Sequence, residues 1–514
     1  MDNDTKSNYI GITLGPIMDT MSIMTKPGAL WLSSYMFSYI SKQLCVEIGK
    51  EIGVEKIITP FVPEKDHKDY DIIMNREDGV GLFHDHIIFE NVGDIWDKLS
   101  GIKEKVIKDV ALKLSLNYDL LKDYVMIKEC RFNVGEKENP ILRCGKMLDC
   151  MELPKVFSPT EVIHPVKSAL NNKSVKEIAK NFVGIDINQK IDESKWNLIC
   201  TSVKENGEVQ EFKDLPSIAF REENKGFKKN NYYCLLRADG DYMSHIISDL
   251  DDYRGFSQAC LKYCDMVANT VKEYGGVTIF AGGDDLFAIV PCEGNTGTIF
   301  DLIFSIDNVF KTSFKEYIDK IIEFNKTSDK PKTIPSLSFG AFICHEKYPL
   351  YEAVQTSAAL LFDVAKKKNN QKKNCLALHL QKHSGQSENL IISKEALSEI
   401  KKILTGVLEY NKDKEKCNEA FLLSAAYKIL TFDTLIDSAY DIDEVFKNIF
   451  DAGYHVGDEK LKNFLHNKLP ELYKNHCKTK GFILIEKNKE QDKPSRALAQ
   501  AIRVIKFFVE KGDE

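Results

Sequence analysis

Two glycines and two aspartates stand in a row, Gly282-Gly283-Asp284-Asp285, between the apolar runs Val277–Ala281 and Leu286–Pro291. The pattern predicts two short strands joined by a tight turn with a pair of carboxylates at its tip. Glycine tolerates the positive φ of such a turn. Lacking a Cβ, it also lets a ligand's phosphates come close to the backbone, which makes Gly282 and Gly283 candidate nucleotide-binding positions. Adjacent carboxylates repel each other, and a shared divalent cation, Mg²⁺ or Mn²⁺, is the simplest way for Asp284 and Asp285 to act together. A solvated turn would use the same residue types for no chemical purpose.

A further carboxylate comes from upstream. The strand-like run Tyr232–Ala238 ends in Asp239-Gly240-Asp241, and an apolar stripe at helical spacing runs from about Phe256 to Tyr274, directly before the hairpin. Strand, helix and hairpin in this order put the first strand beside the hairpin in one sheet, bringing Asp239 to Asp284 or Asp285. Three carboxylates can then share two metal ions, the arrangement that activates a ribose hydroxyl and neutralises charge on a leaving pyrophosphate. The implied chemistry is nucleotidyl transfer. A helix from Ile303 to about Asn325, a strand at Ser336–Cys344 and a helix ending at Ala365 follow. The lysines after that helix, Lys366 first and then Lys372 and Lys373, suit a triphosphate on the side that metals do not cover. Lysines at a helix end also offset the helix dipole, so their charge alone does not decide between the two roles.

Nothing equivalent to Gly-Gly-Asp-Asp occurs in the elements before this unit. Tyr9–Pro16 reads as a strand, Ala29–Ile40 as a helix, Lys56–Pro63 and Val80–Glu90 as strands, and Ile95 to about Tyr118 as a helix, a compact α+β unit. His84-Asp85-His86 lies in an alternating strand pattern with no other His/Asp pair at helical spacing, which argues against a hydrolytic metal site. From about Asp123 to Gly226 the pattern is mixed, with an expected hairpin turn at Asn206-Gly207. Cys130, Cys144 and Cys150 form no C-x₂₋₄-C pair, so zinc is not expected and free core thiols are. After Asn389 the apolar spacing is helical and predicts a bundle. The expected domains are therefore 1–122, 123–226, 227–388 and 389–514.

Length and charge bound the rest. A chain of 514 residues is too long for one core. A formal net charge of −7 argues against indiscriminate nucleic-acid binding and leaves room for local RNA contacts. No apolar run approaches the roughly eighteen residues that span a bilayer, and Met1-Asp2-Asn3-Asp4-Thr5-Lys6 is unlike a signal peptide. The 13 scattered cysteines fit a reducing compartment, so a cytoplasmic location away from membranes is expected.

Asp239, the Gly-Gly-Asp-Asp hairpin and Ala365-Lys366 followed by Asn374 resemble the palm of GGDEF-type nucleotide cyclases. Together with Leu215-Pro216-Ser217, Lys382-His383-Ser384-Gly385 and the early helix Leu30–Tyr39, they look like the large polymerase/cyclase subunit of type III CRISPR effector complexes, of the III-B kind. The resemblance implies an α+β chain of two ferredoxin-like palm domains facing each other, the first degenerate, with a helical C-terminal bundle. It implies that Asp239, Asp284 and Asp285 hold the metals, that Lys366 and Lys373 meet the nucleotide, and that Ser33 and Ser34 contact a nucleotide at the first palm. Close helix packing would explain the two serines equally well.

It further implies a catalytic subunit that, when target RNA binds, converts ATP into a second messenger, either a cyclic oligoadenylate or a conjugate of AMP with S-adenosylmethionine as co-substrate. Many relatives begin with an HD nuclease domain. This chain enters its first palm within about ten residues of Met1, which removes the expectation of DNA cleavage and tilts the expectation toward the conjugate. Expected partners are other III-B effector subunits, among them small helical subunits and the subunit at the guide 5′ end, with CRISPR RNA and target RNA reached through the complex. A catalytically silent scaffold is the alternative, although a scaffold has no reason to keep repelling carboxylates together. A stand-alone cyclase using GTP is a third reading, disfavoured by the doubled palm.

Overall fold

The computed structural model describes residues 7–76, 78–135, 138–152, 164–183, 214–367, 373–412, 419–449, 459–479, 481–484 and 493–511. The hairpin expected at Asn206-Gly207, and Lys372, lie outside these residues.

The first unit is built from β1 (Ser7–Gly15), α1 (Pro27–Ile52), β2 (Ile57–Thr59), β3 (Ile87–Glu90), α2 (Ile95–Leu114) and β4 (Met126–Val134). Alternation in β1 sends Ile10, Ile12 and Leu14 into the core. Helix α1 starts with Pro27, whose missing N–H costs nothing in the first turn, and stops at Gly53, which takes a φ of 91°. Its buried face, including Trp31, Phe37, Leu44 and Ile48, packs with α2 over the sheet. The strand order β2-β3-β1-β4 is antiparallel throughout, the ferredoxin-like arrangement. The sheet crosses the boundary expected after residue 122, because β4 pairs with β1 from Ser7↔Val134 to Gly15↔Met126. Helix α3 (Pro140–Glu152) then covers β1 and β4.

The second unit runs β5 (Tyr232–Asp241), α4 (Tyr253–Tyr274), β6 (Val277–Gly282), β7 (Asp285–Pro291), α5 (Ile299–Ser313) and β8 (Ser336–His345). Its order β8-β5-β7-β6 repeats the first unit's topology. Helix α6 (Leu350–Ala359) and a π-helical turn over Leu360–Ala365 lead to β9 (Cys375–Gln381), which is parallel to β8. The antiparallel strands β10 (Ser387–Ser393) and β11 (Phe482–Leu484) complete seven strands. Helices on both faces explain why β5 and β8 read as continuous apolar runs.

Among the described residues from Lys394 on, the regular elements other than β11 are helical, among them α7 (Lys394–Lys412), α8 (Glu419–Thr431), α9 (Glu459–Leu472) and α10 (Pro494–Val509). The boundary expected at 388/389 falls inside β10, so the sheet and the bundle share a core in which α10 packs on both α8 and β10. The architecture is that of two palm domains followed by a helical region, as expected.

The two palms meet directly. Arg76 of the first pairs with Asp265 on α4, and Arg254 at the start of α4 donates to the carbonyls of Ile57 at 3.0 Å and Val62 at 2.7 Å. The Ala281 amide on β6 donates to Gly81 O at 3.3 Å. Among the described residues, no helix is long and apolar enough to cross a membrane.

Candidate active site between the palms

The hairpin forms as its composition dictates. Gly282 pairs with Asp285, leaving Gly283 and Asp284 as a two-residue turn in which Gly283 takes a φ of 68°. A Cβ on Gly283 would meet nothing within 4 Å, so that flank of the turn is open to a ligand, whereas the space beside Gly282 is filled by the Phe280 ring. The Cys264 thiol of α4 donates to Gly283 O at 3.4 Å and ties the turn to its helix.

Strand register brings the acids together. Ala238 pairs with Leu286, so one rung further Asp239 and Asp285 face each other across β5 and β7. Like charges directly opposite in a sheet are destabilising unless something of opposite sign joins them. Asp284 lies against Gly240, where an added Cβ would sit 2.2 Å from its Oδ2. Burial and the nearby Asp239 push Asp284 up to about 6 and Asp285 well above the usual carboxylate range. Burial also raises Asp239, against the pull of Lys366.

Lys366 follows the π-helical turn, whose wider coil delivers it onto the end of β5. It pairs with Asp239, donates to Gly240 O at 2.8 Å and lies 3.8 Å from Asp241 Oδ1. Lys373 takes a left-handed φ of 45°, and its Nζ lies 4.6 Å from the centre of the Tyr242 ring, itself on a residue with a φ of 59°. Such backbone in non-glycine residues is strained and clusters at working sites.

Asp241 is the member that sequence reasoning passed over. It is fully buried, and its Oδ2 accepts from Ser338 at 2.7 Å, Ser336 at 3.1 Å and the Asn374 amide at 2.9 Å. Its Oδ1 has no hydrogen-bond partner. Period-two alternation already placed Asp241 and Arg237 on the Asp239 face of β5, and that signal was available in the sequence.

A cavity of about 240 Å³ lies between the palms, walled by Met21, Phe37, Phe83, Phe280, Phe287 and Leu361. Ser34, Asp85, Arg237 and Asp285 also line it. Ser34 is therefore at the cavity, and Ser33 is not: its hydroxyl donates to Ala29 O at 2.8 Å inside α1. In the first palm, Asp85, His86 and Glu152 bring their possible ligand atoms within 4.8 Å of one another; His86 and Glu152 pair at 2.9 Å, and Thr13 also donates to Glu152.

The donors at the second palm fit divalent cations. Hard carboxylates from two strands and a turn lie near one another, burial and their mutual repulsion raise their proton affinities, and Asp241 Oδ1 accepts no hydrogen bond. Asp239, Asp284 and Asp285 are the residues that would hold the ions, with Asp241 behind them.

Residues 232–377 match the family description "Cas10/Cmr2, second palm domain", and residues 9–112 match "CRISPR-associated protein Cmr2, N-terminal". The chain is similar to the CRISPR system Cmr subunit Cmr2 of Pyrococcus furiosus, at 30% identity over 207 residues. That match covers 34% of this chain and spans 21% of the relative's own length. Among solved structures, the fold is similar to a chain of a type III-B Cmr-beta complex in the apo state, with a TM-score of 0.56 and 12% identity over 99% of this chain and 82% of that one. It is also similar to a chain of a Csm1–Csm4 cassette in complex with cA4, with a TM-score of 0.51 and 13% identity over 99% and 70%.

Proposed function

Since the chain belongs to the Cas10/Cmr2 family, we propose that it is the catalytic subunit of a type III-B effector complex and that its second palm joins nucleotides, using ATP, when target RNA is bound. The observation that carries this is a cluster of three buried carboxylates, each with raised proton affinity, in which Asp239 pairs with Lys366 and Asp285 lines the cavity between the palms. Bound at these carboxylates, two Mg²⁺ or Mn²⁺ ions would supply Lewis acidity toward the reacting oxygens. Asp241 holds the end of β5 and the Asn374 amide together, which fixes the backbone on which Asp239 and Lys366 meet. Lys366 and Lys373 offset charge on the triphosphate, and the open side of Gly283 admits its phosphates. The cavity takes the nucleoside, with Ser34 on the first-palm wall.

A Csm1–Csm4 relative of the same fold binds cA4, which supports a cyclic oligoadenylate product. Conjugation of AMP to S-adenosylmethionine would use the same metal site with a different acceptor. Small helical subunits, the subunit at the guide 5′ end and the two RNAs are the proposed partners. Product analysis by chromatography and mass spectrometry tests the reading, with the chain or its complex given target RNA, Mn²⁺ or Mg²⁺ and ATP, with and without S-adenosylmethionine. Oligoadenylates from ATP alone establish the cyclase, and a product that appears only when S-adenosylmethionine is present together with ATP establishes the conjugating enzyme. The absence of any product that depends on Asp284 and Asp285 would leave a scaffold.

A further inference from the structure

Arg237 places a guanidinium in an apolar wall and leaves one of its donors unclaimed. The residue sits mid-strand in β5, 6% exposed, opposite Phe287 on β7 and Gly340 on β8. Two contacts set its orientation. Its Cζ lies 3.7 Å from the centre of the Phe287 ring, and its Nε donates to Ser357 Oγ at 3.1 Å. Ser357 in turn donates to Val354 O at 2.9 Å, so that hydroxyl is oriented to receive the arginine. The helix can come this near because residue 340 is glycine: a Cβ there would lie 2.7 Å from the Leu361 amide and 3.0 Å from Ser357 O.

This support leaves Nη2 buried without a hydrogen-bond partner. Among the described residues, no carboxylate comes within ion-pairing distance of the guanidinium. Native interiors rarely leave a charged donor in that state, and the desolvation it suffers is recovered when an acceptor arrives. Arg237 lines the cavity between the palms together with Phe83, Phe280 and Phe287, and Asp85 faces the same space from the first palm.

We propose that Arg237 is the specificity-determining residue of this cavity, its guanidinium donating to a ring-nitrogen acceptor of the purine held between the aromatic walls. The inference rests on the nucleotide reading above and assigns the part of the nucleotide that Arg237 meets. A guanidinium is donor-only, so it selects an acceptor edge, and a purine presents N7 on one edge and, in adenine, N1 on the other. Phosphate is the poorer fit for this position, because walls so rich in phenylalanine and leucine favour a flat, weakly hydrated ring. Two residues along a strand span roughly 6.6 Å. Arg237 therefore stands back from Asp239 and grips the base while the acids and Lys366 face the phosphates.

The test is binding of ATP, 7-deaza-ATP and 1-deaza-ATP to the full-length chain with Mn²⁺, by equilibrium dialysis, for wild type and Arg237→Met. Wild type is expected to bind one of the deaza analogues about 10- to 100-fold more weakly than ATP, the range of one charge-assisted hydrogen bond. Arg237→Met should bind ATP at that weaker level and no longer distinguish the analogue. Equal binding of all three nucleotides by wild type overturns the assignment, and so does discrimination that survives in Arg237→Met. If Arg237→Met does not fold, the wild-type comparison still decides, and Ser357→Ala, which frees Nε and keeps the charge, should lower the discrimination. Failure of wild type to bind any of the three would instead remove the nucleotide reading itself.

Discussion

The two palms share one topology and differ at one corner. In each, the first strand lies between the fourth and the third, with the second outside. In the second palm, strands two and three are joined by a two-residue turn carrying Asp284, and the first strand ends in Asp239-Gly240-Asp241. In the first palm, the corresponding strands β2 and β3 are short and joined through a long connection, and β1 ends in Thr13-Leu14-Gly15. The sheet supplies positions, and the residues at its corner decide whether those positions hold a charge deficit. The first palm instead contributes a wall, with Ser34, Phe37 and Phe83 lining the cavity that Asp285 reaches from the second palm.

Substitutions that remove the corner's charge should separate the palms most. Asp239→Asn or Asp285→Asn should lower kcat for nucleotide joining by about 10³-fold, since each removes a group that stabilises developing charge. Thr13→Ala, at the matching end of β1, should change it by no more than a few fold. Turnover of ATP at saturating Mn²⁺ measures both, and equal losses would erase the distinction. Lys366→Met should cost on the order of 10- to 100-fold in kcat/KM for ATP, the worth of one charge-assisted contact.

Glycine substitutions sharpen the same contrast. Gly240→Ala places a methyl 2.2 Å from Asp284 Oδ2 and should abolish most activity by displacing that carboxylate. Gly283→Ala meets no neighbour and should cost about 1 kcal/mol of stability from its positive φ alone. Thermal melts alongside turnover separate the two.

The pH dependence is smaller and has a definite sign. Asp284 is raised to about 6 in the folded protein, above its ordinary 3.8, so the folded state binds the proton more tightly than the unfolded chain. Its share of metal-free stability is present at low pH and falls as pH rises from about 4 to about 6. Relative to Asp284→Asn, the metal-free wild type should lose melting temperature across that window, and Mn²⁺ should restore it above pH 6, where the carboxylate is free to bind. In the first palm, Ser33→Ala should leave nucleotide affinity unchanged, because its hydroxyl is spent on Ala29 O, and Ser34→Leu should weaken it.

Much of the corner was legible because its signals are local. A glycine pair before two acids, bounded by apolar runs, encodes a hairpin through φ preferences and alternation, and the helix before it fixes which strand becomes its neighbour. Features set by distant contacts were not legible. β4 is half exposed at the sheet edge, so its alternation is weak and its place is decided by pairing with β1. Ser33 and Ser34 are neighbours whose roles diverge through helix rotation, which sequence spacing alone did not resolve. Asp241 and Arg237 were encoded by the same alternation that singled out Asp239. What marks them structurally is the unmet bonding of Asp241 Oδ1 and Arg237 Nη2, which depends on what the other strands and helices bring near.

Mn²⁺ binding to the full-length chain, followed by the loss of the free-ion electron paramagnetic resonance signal, tests the central claim most directly. The account predicts that wild type binds Mn²⁺ near neutral pH in the presence of ATP, and that Asp239→Asn with Asp285→Asn abolishes binding while Asp85→Asn with Glu152→Gln in the first palm does not. Binding that survives in the second-palm variant, or that is lost in the first-palm variant instead, would contradict it.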